Sequence, residues 1–212
     1  MDVRWKHPFT ALVVGPTGCG KTQFVTKLIQ QHDQVVDKRF DKIVWCYGEY
    51  QLGYASMARD MPFIEFHEGI PSNMEGLFDR RQSNLIILDD LMSQANQDQR
   101  VSHLFTKGSH HRNLSVILIS QNLFHQGRES RTISLNAQYM ILFKNPRDSS
   151  QIIHLAKQIY PQNGKFLQEA YRDATSKPYG YLMIDLKPET DDRIRLRTNV
   201  FLDERNIVYV MK

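Results

Sequence analysis

Cysteine is nearly absent from this chain. Cys19 and Cys46 are the only two among 212 residues, which excludes a disulfide scaffold and suits a reducing compartment. No run reaches 18 apolar residues, so no membrane-spanning helix and no membrane partner are expected. The opening residues, Met1-Asp2-Val3-Arg4-Trp5-Lys6, lack the apolar stretch of a secretory signal, and the expected location is intracellular. Internal repeats and low-complexity tracts are also missing, and no linker marks a second domain. The expectation is one domain over residues 1–212, with residues 187–212 as an edge-strand or arm extension.

What is present is ordinary for a globular protein: 41% hydrophobic and 24% charged residues. The net charge of +4 is unevenly spread. Residues 1–100 carry 11 Lys/Arg against 13 Asp/Glu, and the remainder carries 16 against 10. A basic second half is compatible with a polyanionic partner, although scattered surface charge gives the same count.

Short apolar runs recur along the chain. Phe9–Val14, Lys42–Tyr47, Asn84–Leu88, Ser115–Ile119 and Tyr139–Phe143 read as strands, with Pro62–Phe66 a short extra one and Gly180–Leu186 a late one. Lys21–Asp33, Gln97–Lys107, Ser150–Ile159 and Phe166–Ala174 read as helices, and Pro71–Arg80 as a short one. "RIRLR" and "IVYVM" in the tail are strand-like. Strands alternating with helices predict an α/β fold. The strands are apolar throughout, which predicts a mainly parallel sheet covered by helices on both faces.

Three stretches carry chemistry. The first, Gly15-Pro16-Thr17-Gly18-Cys19-Gly20-Lys21-Thr22, fits G-x-x-x-x-G-K-[ST] between an expected strand and an expected helix, the context that makes the pattern a phosphate loop. Its glycines let backbone N–H groups wrap phosphate oxygens, and the helix N-terminus adds partial positive charge. Lys21 can reach the β- and γ-phosphates, and the Thr22 hydroxyl can ligate Mg²⁺. By itself the loop implies nucleotide binding, with Mg²⁺ as the expected metal.

The second stretch, "NLIILDDL", ends a buried strand in two carboxylates. Asp89 is the candidate Mg²⁺-holding residue and Asp90 the candidate general base. Alone, such a pair could simply end a strand in a turn. The third, "SVILISQN", puts Gln121 at a strand tip, where it could orient water or sense hydrolysis, with Ser120 and Asn122 beside it. An arginine can stabilise charge on the transferring phosphate, often from a neighbouring subunit. Arg112 is favoured for this role, with Arg128 and Arg131 as alternatives and Arg147 further along. His103, His110 and His111 do not have the spacing of a helical metal pair, so a zinc site is not expected. Tyr160 and Tyr171 read as core rather than as a base-stacking platform.

The combination of "GPTGCGKT", "LIILDD" and "ILISQN", with an arginine before the third, resembles the FtsK–HerA superfamily of P-loop ATPases. Within it the chain looks most like the poxvirus-type DNA-packaging ATPases of large DNA viruses and of Polinton- and adintovirus-like elements. The resemblance runs from about Phe9 to Phe143. It implies a RecA-like fold with sheet order 5-1-4-3-2, in which the strand before Gln121 lies between the strands carrying the other two motifs. It also implies ATP as the nucleotide, shared across the subunit interfaces of a homo-oligomeric ring, pentamer or hexamer. Double-stranded DNA would be pulled through that ring into a capsid, with capsid proteins as partners, in the host cytoplasm or nucleus or with the virion. The chain departs from the pattern at Asp89-Asp90, where many relatives have Asp-Glu, so the identity of the base stays open. A separate DNA-gripping domain is not expected, and DNA contact would fall to pore loops or the basic tail.

A nucleoside or small-molecule kinase would use the same phosphate loop and is the alternative reading. A GTPase is disfavoured because N-K-x-D is lacking. A transporter ATPase is disfavoured because an LSGGQ-type signature is lacking.

Overall fold

A computed structural model describes residues 2–91, 98–108, 113–124 and 128–211. Five strands, β1 (Thr10–Val14), β2 (Lys42–Tyr47), β4 (Asn84–Asp89), β5 (Leu114–Ser120) and β6 (Tyr139–Phe143), form the centre of one sheet. They run parallel in the order β6-β1-β5-β4-β2. Numbered among themselves in chain order, these five follow the expected 5-1-4-3-2, but the sheet as a whole departs from that order through four further strands. The full sheet is longer than those five. β3 (Ile64–Glu68) adds a parallel strand outside β2, and β7 (Tyr181–Asp185), β8 (Leu196–Thr198) and β9 (Ile207–Tyr209) add antiparallel strands outside β6. All nine strands are hydrogen-bonded in the order β3-β2-β4-β5-β1-β6-β7-β8-β9.

Every residue of β1, β4, β5 and β6 is buried. Side chains alternate between two cores, one on each face, because successive strand residues point to opposite sides. One core joins Ala11, Val13, Ile43, Ile87 and Ile117 to Phe24, Val25, Leu28 and Ile29 of α1 (Lys21–Gln30) and to Tyr54 and Met57 of α3 (Leu52–Asp60). The other joins Leu12, Val44, Leu88, Val116 and Leu142 to the opposite layer of helices. That layer comprises α5 (Gln99–His103), α6 (Arg128–Leu135), α7 (Ser150–Ile159) and α8 (Gly164–Ala174), with a π-helical turn at Leu104–Gly108 after α5. Two four-residue helices, α2 (His32–Val35) and α4 (Met74–Leu77), are also present among the described residues.

Several elements differ from the sequence reading. The helix expected over Lys21–Asp33 breaks at Gln31 into α1 and α2. The helix expected over Pro71–Arg80 shrinks to α4, capped where the Asn73 side chain accepts a hydrogen bond from the Gly76 amide at 2.9 Å. The sequence reading had no counterpart for α3 and α6.

The tail from residue 187 supplies β8 and β9 and then folds back over α1. Phe201 is buried against Phe24 and Tyr181. Lys27 Nζ, 4.6 Å above the Phe201 ring, donates to Asp203 and Glu204 at 2.8 Å each. Three tail arginines each face a carboxylate: Arg193 with Asp191 at 2.6 Å, Arg195 with Asp192 at 2.9 Å, and buried Arg197 with Asp185 at 3.6 Å.

Candidate active site

In a parallel sheet, all strand C-termini face one edge, and ligand sites form there. The three motifs follow β1, β4 and β5, so the sheet order decides whether they meet. β5 lies between β1 and β4, with Val13 and Asp89 both in register with Ile119. The Gly15 amide donates to the Ser120 carbonyl at 3.2 Å, tying the start of the loop to the end of β5. A cleft of about 440 Å³ opens at this edge. Thr17, Gly18, Gly20, Lys21, Thr22, Asp89, Asp90, Ser120 and Gln121 line it.

The loop fits its glycines by shape. Gly18 and Gly20 have φ of 79° and 103°, the left-handed region that glycine enters without penalty. Gly15 is a case of close approach instead: a Cβ there would lie 2.7 Å from both Cys19 Sγ and Phe143 Cβ. This gives Cys19 a structural role. Its half-buried thiol packs against Gly15, and burial pushes its pKa up. A thiol held protonated in this way is a space-filling group and a poor nucleophile.

Gly20, the N-cap of α1, makes no side-chain cap, and the first-turn amides of an α-helix have no intrahelical partner. Lys21 Nζ donates to its own loop, to the Gly15 carbonyl at 2.6 Å and the Pro16 carbonyl at 2.9 Å. Its ammonium is thereby held within the cradle that the loop forms.

Asp89 is buried at the end of β4, 3% exposed. Burial raises its pKa above the ordinary carboxylate range. Hydrogen bonds and the Lys21 charge act in the opposite sense. Its Oδ2 accepts from the Tyr54 hydroxyl at 3.0 Å and from Thr22 Oγ1 at 3.4 Å. Thr22 and Asp89 thus present two hard oxygen ligands side by side next to the phosphate loop, a donor set that fits a hydrated divalent cation such as Mg²⁺. Asp90 has φ of 56°, an uncommon backbone for a non-glycine residue, and this exposed residue lines the cleft. Gln121, also exposed, lines the same cleft.

The arginine candidates fare differently. Arg112 lies outside the described residues, as do His110, His111 and the side chain of Arg128. Arg131 is exposed on α6 and Arg147 on the loop after β6, and neither lines the cleft. His103 is exposed on α5, and no cluster of three or more metal-binding side chains occurs among the described residues.

Sequence reasoning missed four contributors. Tyr54 reaches Asp89 from α3, Gln51 and Gly53 line the cleft from the segment after β2, and Tyr179 lines it from the turn before β7. The signal for the first three was positional: "GEYQLGY" follows a strand whose C-terminus lies on the same edge.

Solved structures now provide a comparison. The genome packaging NTPase B204 of Sulfolobus turreted icosahedral virus 2, solved with ATP-gammaS, superposes with a TM-score of 0.58 at 14% identity, over 90% of this chain and 96% of that one. This chain has the fold of a viral genome-packaging NTPase. The DNA-packaging ATPase B204 of Sulfolobus turreted icosahedral virus gives a TM-score of 0.56 at 11% identity, over 96% and 98% of the two chains. The cytoplasmic domain of the Thermomonospora curvata type VII secretion ATPase EccC gives 0.55 at 12% identity, with this chain spanning 24% of that one. No protein-family model and no curated protein matches the sequence. The likeness at these identities is one of fold.

Proposed function

We propose that the chain is an ATPase whose hydrolysis drives double-stranded DNA into a viral or virus-like capsid. The observation that carries this reading is the meeting of Lys21, Thr22, Asp89, Asp90 and Gln121 around one cleft, with Gln121 on the strand between the other two motif strands. The fold shared with two packaging NTPases, over nearly the whole of both chains, supports it independently.

In this reading the loop amides and Lys21 neutralise the β- and γ-phosphates of bound ATP. The phosphate replaces the Gly15 and Pro16 carbonyls as partner of the Lys21 ammonium. Thr22 and Asp89 hold Mg²⁺, which supplies charge neutralisation on the phosphates when bound. Asp90 accepts a proton from the attacking water, and Gln121 orients that water against the γ-phosphate. An arginine from a neighbouring subunit, Arg112 or else Arg128 or Arg131, completes the site in a ring of five or six copies. Double-stranded DNA passes through that ring, capsid proteins receive it, and the work is done inside the host cell.

ATP hydrolysis by the assembled protein, with and without double-stranded DNA, tests the coupling. The expected result is a turnover rate that rises on adding DNA. Equal rates in both conditions would remove the motor and leave a plain ATPase.

A further inference from the structure

The turn entering β7 places an aromatic ring where the backbone disfavours one. The Gly180 amide donates to the Lys177 carbonyl at 3.1 Å, closing a four-residue turn with Pro178 second and Tyr179 third. Tyr179 has φ of 61°. A type II turn needs a positive φ at its third position, where glycine is the ordinary occupant and proline the common residue before it. A tyrosine there holds a strained backbone, and such strain gathers at functional sites.

Packing does not explain the residue, because Tyr179 is 66% exposed. Its ring instead stands over the phosphate loop. A Cβ built on Gly20 would lie 3.2 Å from Tyr179 Cδ1. Tyr179 lines the cleft that Lys21 and Thr22 line, so it belongs to the wall of the proposed nucleotide site rather than to the core. Tyr160 and Tyr171 are engaged elsewhere: Tyr160 packs edge-on against Phe166, and the Tyr171 hydroxyl donates to the Phe143 carbonyl at 2.8 Å.

We propose that Tyr179 is the nucleobase platform of this site: with the phosphates in the loop 15–22, the purine base stacks on the exposed face of its ring. The inference rests on the nucleotide-binding reading above. Stacking on an aromatic face supplies affinity without hydrogen-bond readout of the base. The turn, fixed by Pro178, holds the ring in place before the ligand arrives, which lowers the ordering cost of binding.

The test compares ATP with inorganic tripolyphosphate, which has the phosphates and no base, by titration calorimetry. The proteins are wild type, Tyr179→Phe, Tyr179→Ala and Tyr179→Gly. Wild type should bind ATP more tightly than tripolyphosphate. Tyr179→Ala and Tyr179→Gly should lose about tenfold or more in ATP affinity while keeping tripolyphosphate affinity, and Tyr179→Phe should keep both. The glycine variant fits the turn without strain, so its thermal melt should equal or exceed that of wild type, which separates a lost stack from a damaged fold. Unchanged ATP affinity in Tyr179→Ala, or equal loss of both ligands, would overturn the proposal. So would a wild type that binds tripolyphosphate as tightly as ATP, though the phosphate site would then survive. Binding of neither ligand by wild type would remove the nucleotide reading itself.

Discussion

The Tyr54 hydroxyl donates a 3.0 Å hydrogen bond to Asp89 Oδ2, the same oxygen that Thr22 Oγ1 faces at 3.4 Å. A tyrosine on α3 therefore supports the carboxylate on β4 that is the candidate metal ligand. Tyr54 and Asp89 are both nearly inaccessible to solvent, 2% and 3% exposed. A buried carboxylate that loses a donor bears an unmet desolvation cost. Tyr54→Phe keeps the ring and removes only the hydroxyl. It should lower unfolding stability by about 1–3 kcal/mol in a urea titration without nucleotide. A variant as stable as wild type would show that the bond carries no weight.

The contact between Gly15 and Cys19 gives a second expectation. Gly15→Ala drives a methyl group to 2.7 Å from Cys19 Sγ and Phe143 Cβ, so it should destabilise the protein by about 1–3 kcal/mol and weaken nucleotide binding. Cys19→Ala alone should be mild. Combined with Gly15→Ala it should recover part of the loss, because it relieves one of the two clashes, and a double-mutant cycle reads that coupling directly. Strict additivity of the two changes would argue against the packing described.

Acid should destabilise the fold through His7. Its ring is buried between Ser115 Oγ at 2.7 Å and Asn113 Oδ1 at 2.9 Å, and burial lowers its pKa below the ordinary 6.5. Below that value the unfolded chain takes up a proton that the folded chain resists, so folded stability falls as pH drops through about 6.5 and is fully present above it. Thermal melts between about pH 7.5 and 5.5 should show a smaller drop for His7→Gln than for wild type. Parallel curves would assign the pH dependence to other groups.

Much of this architecture was legible because parallel strands advertise themselves. "NLIIL" and "SVILI" are buried on both faces and carry no polar break, so their type and position follow from composition alone. α7 likewise matches its expected bounds, Ser150–Ile159. The glycine-rich loop 15–22 and Asp89 were readable as a candidate site because each is a local pattern attached to a strand end. What escaped was set by tertiary contact. α3 has only Tyr54 and Met57 buried, and α6 is polar on most positions, so neither shows a strong apolar stripe. Tyr54 and Tyr179 reach the site from segments far from every motif, and only the sheet order brings them to the same edge. The antiparallel strands β8 and β9 are three residues each, too short for periodicity to fix their pairing.

If Lys21, Thr22, Asp89 and Asp90 act as one ATP-hydrolysing centre, binding and turnover must separate by residue. The decisive measurement follows ATP binding and phosphate release for wild type, Lys21→Ala and Asp90→Asn under the same conditions with Mg²⁺. Wild type should bind and turn over. Lys21→Ala should bind ATP too weakly to detect, and Asp90→Asn should bind near-normally while turnover falls by about 10²-fold or more. Normal turnover in Asp90→Asn would remove that residue from the base role. Undiminished binding and turnover in Lys21→Ala would contradict the assignment of the cleft.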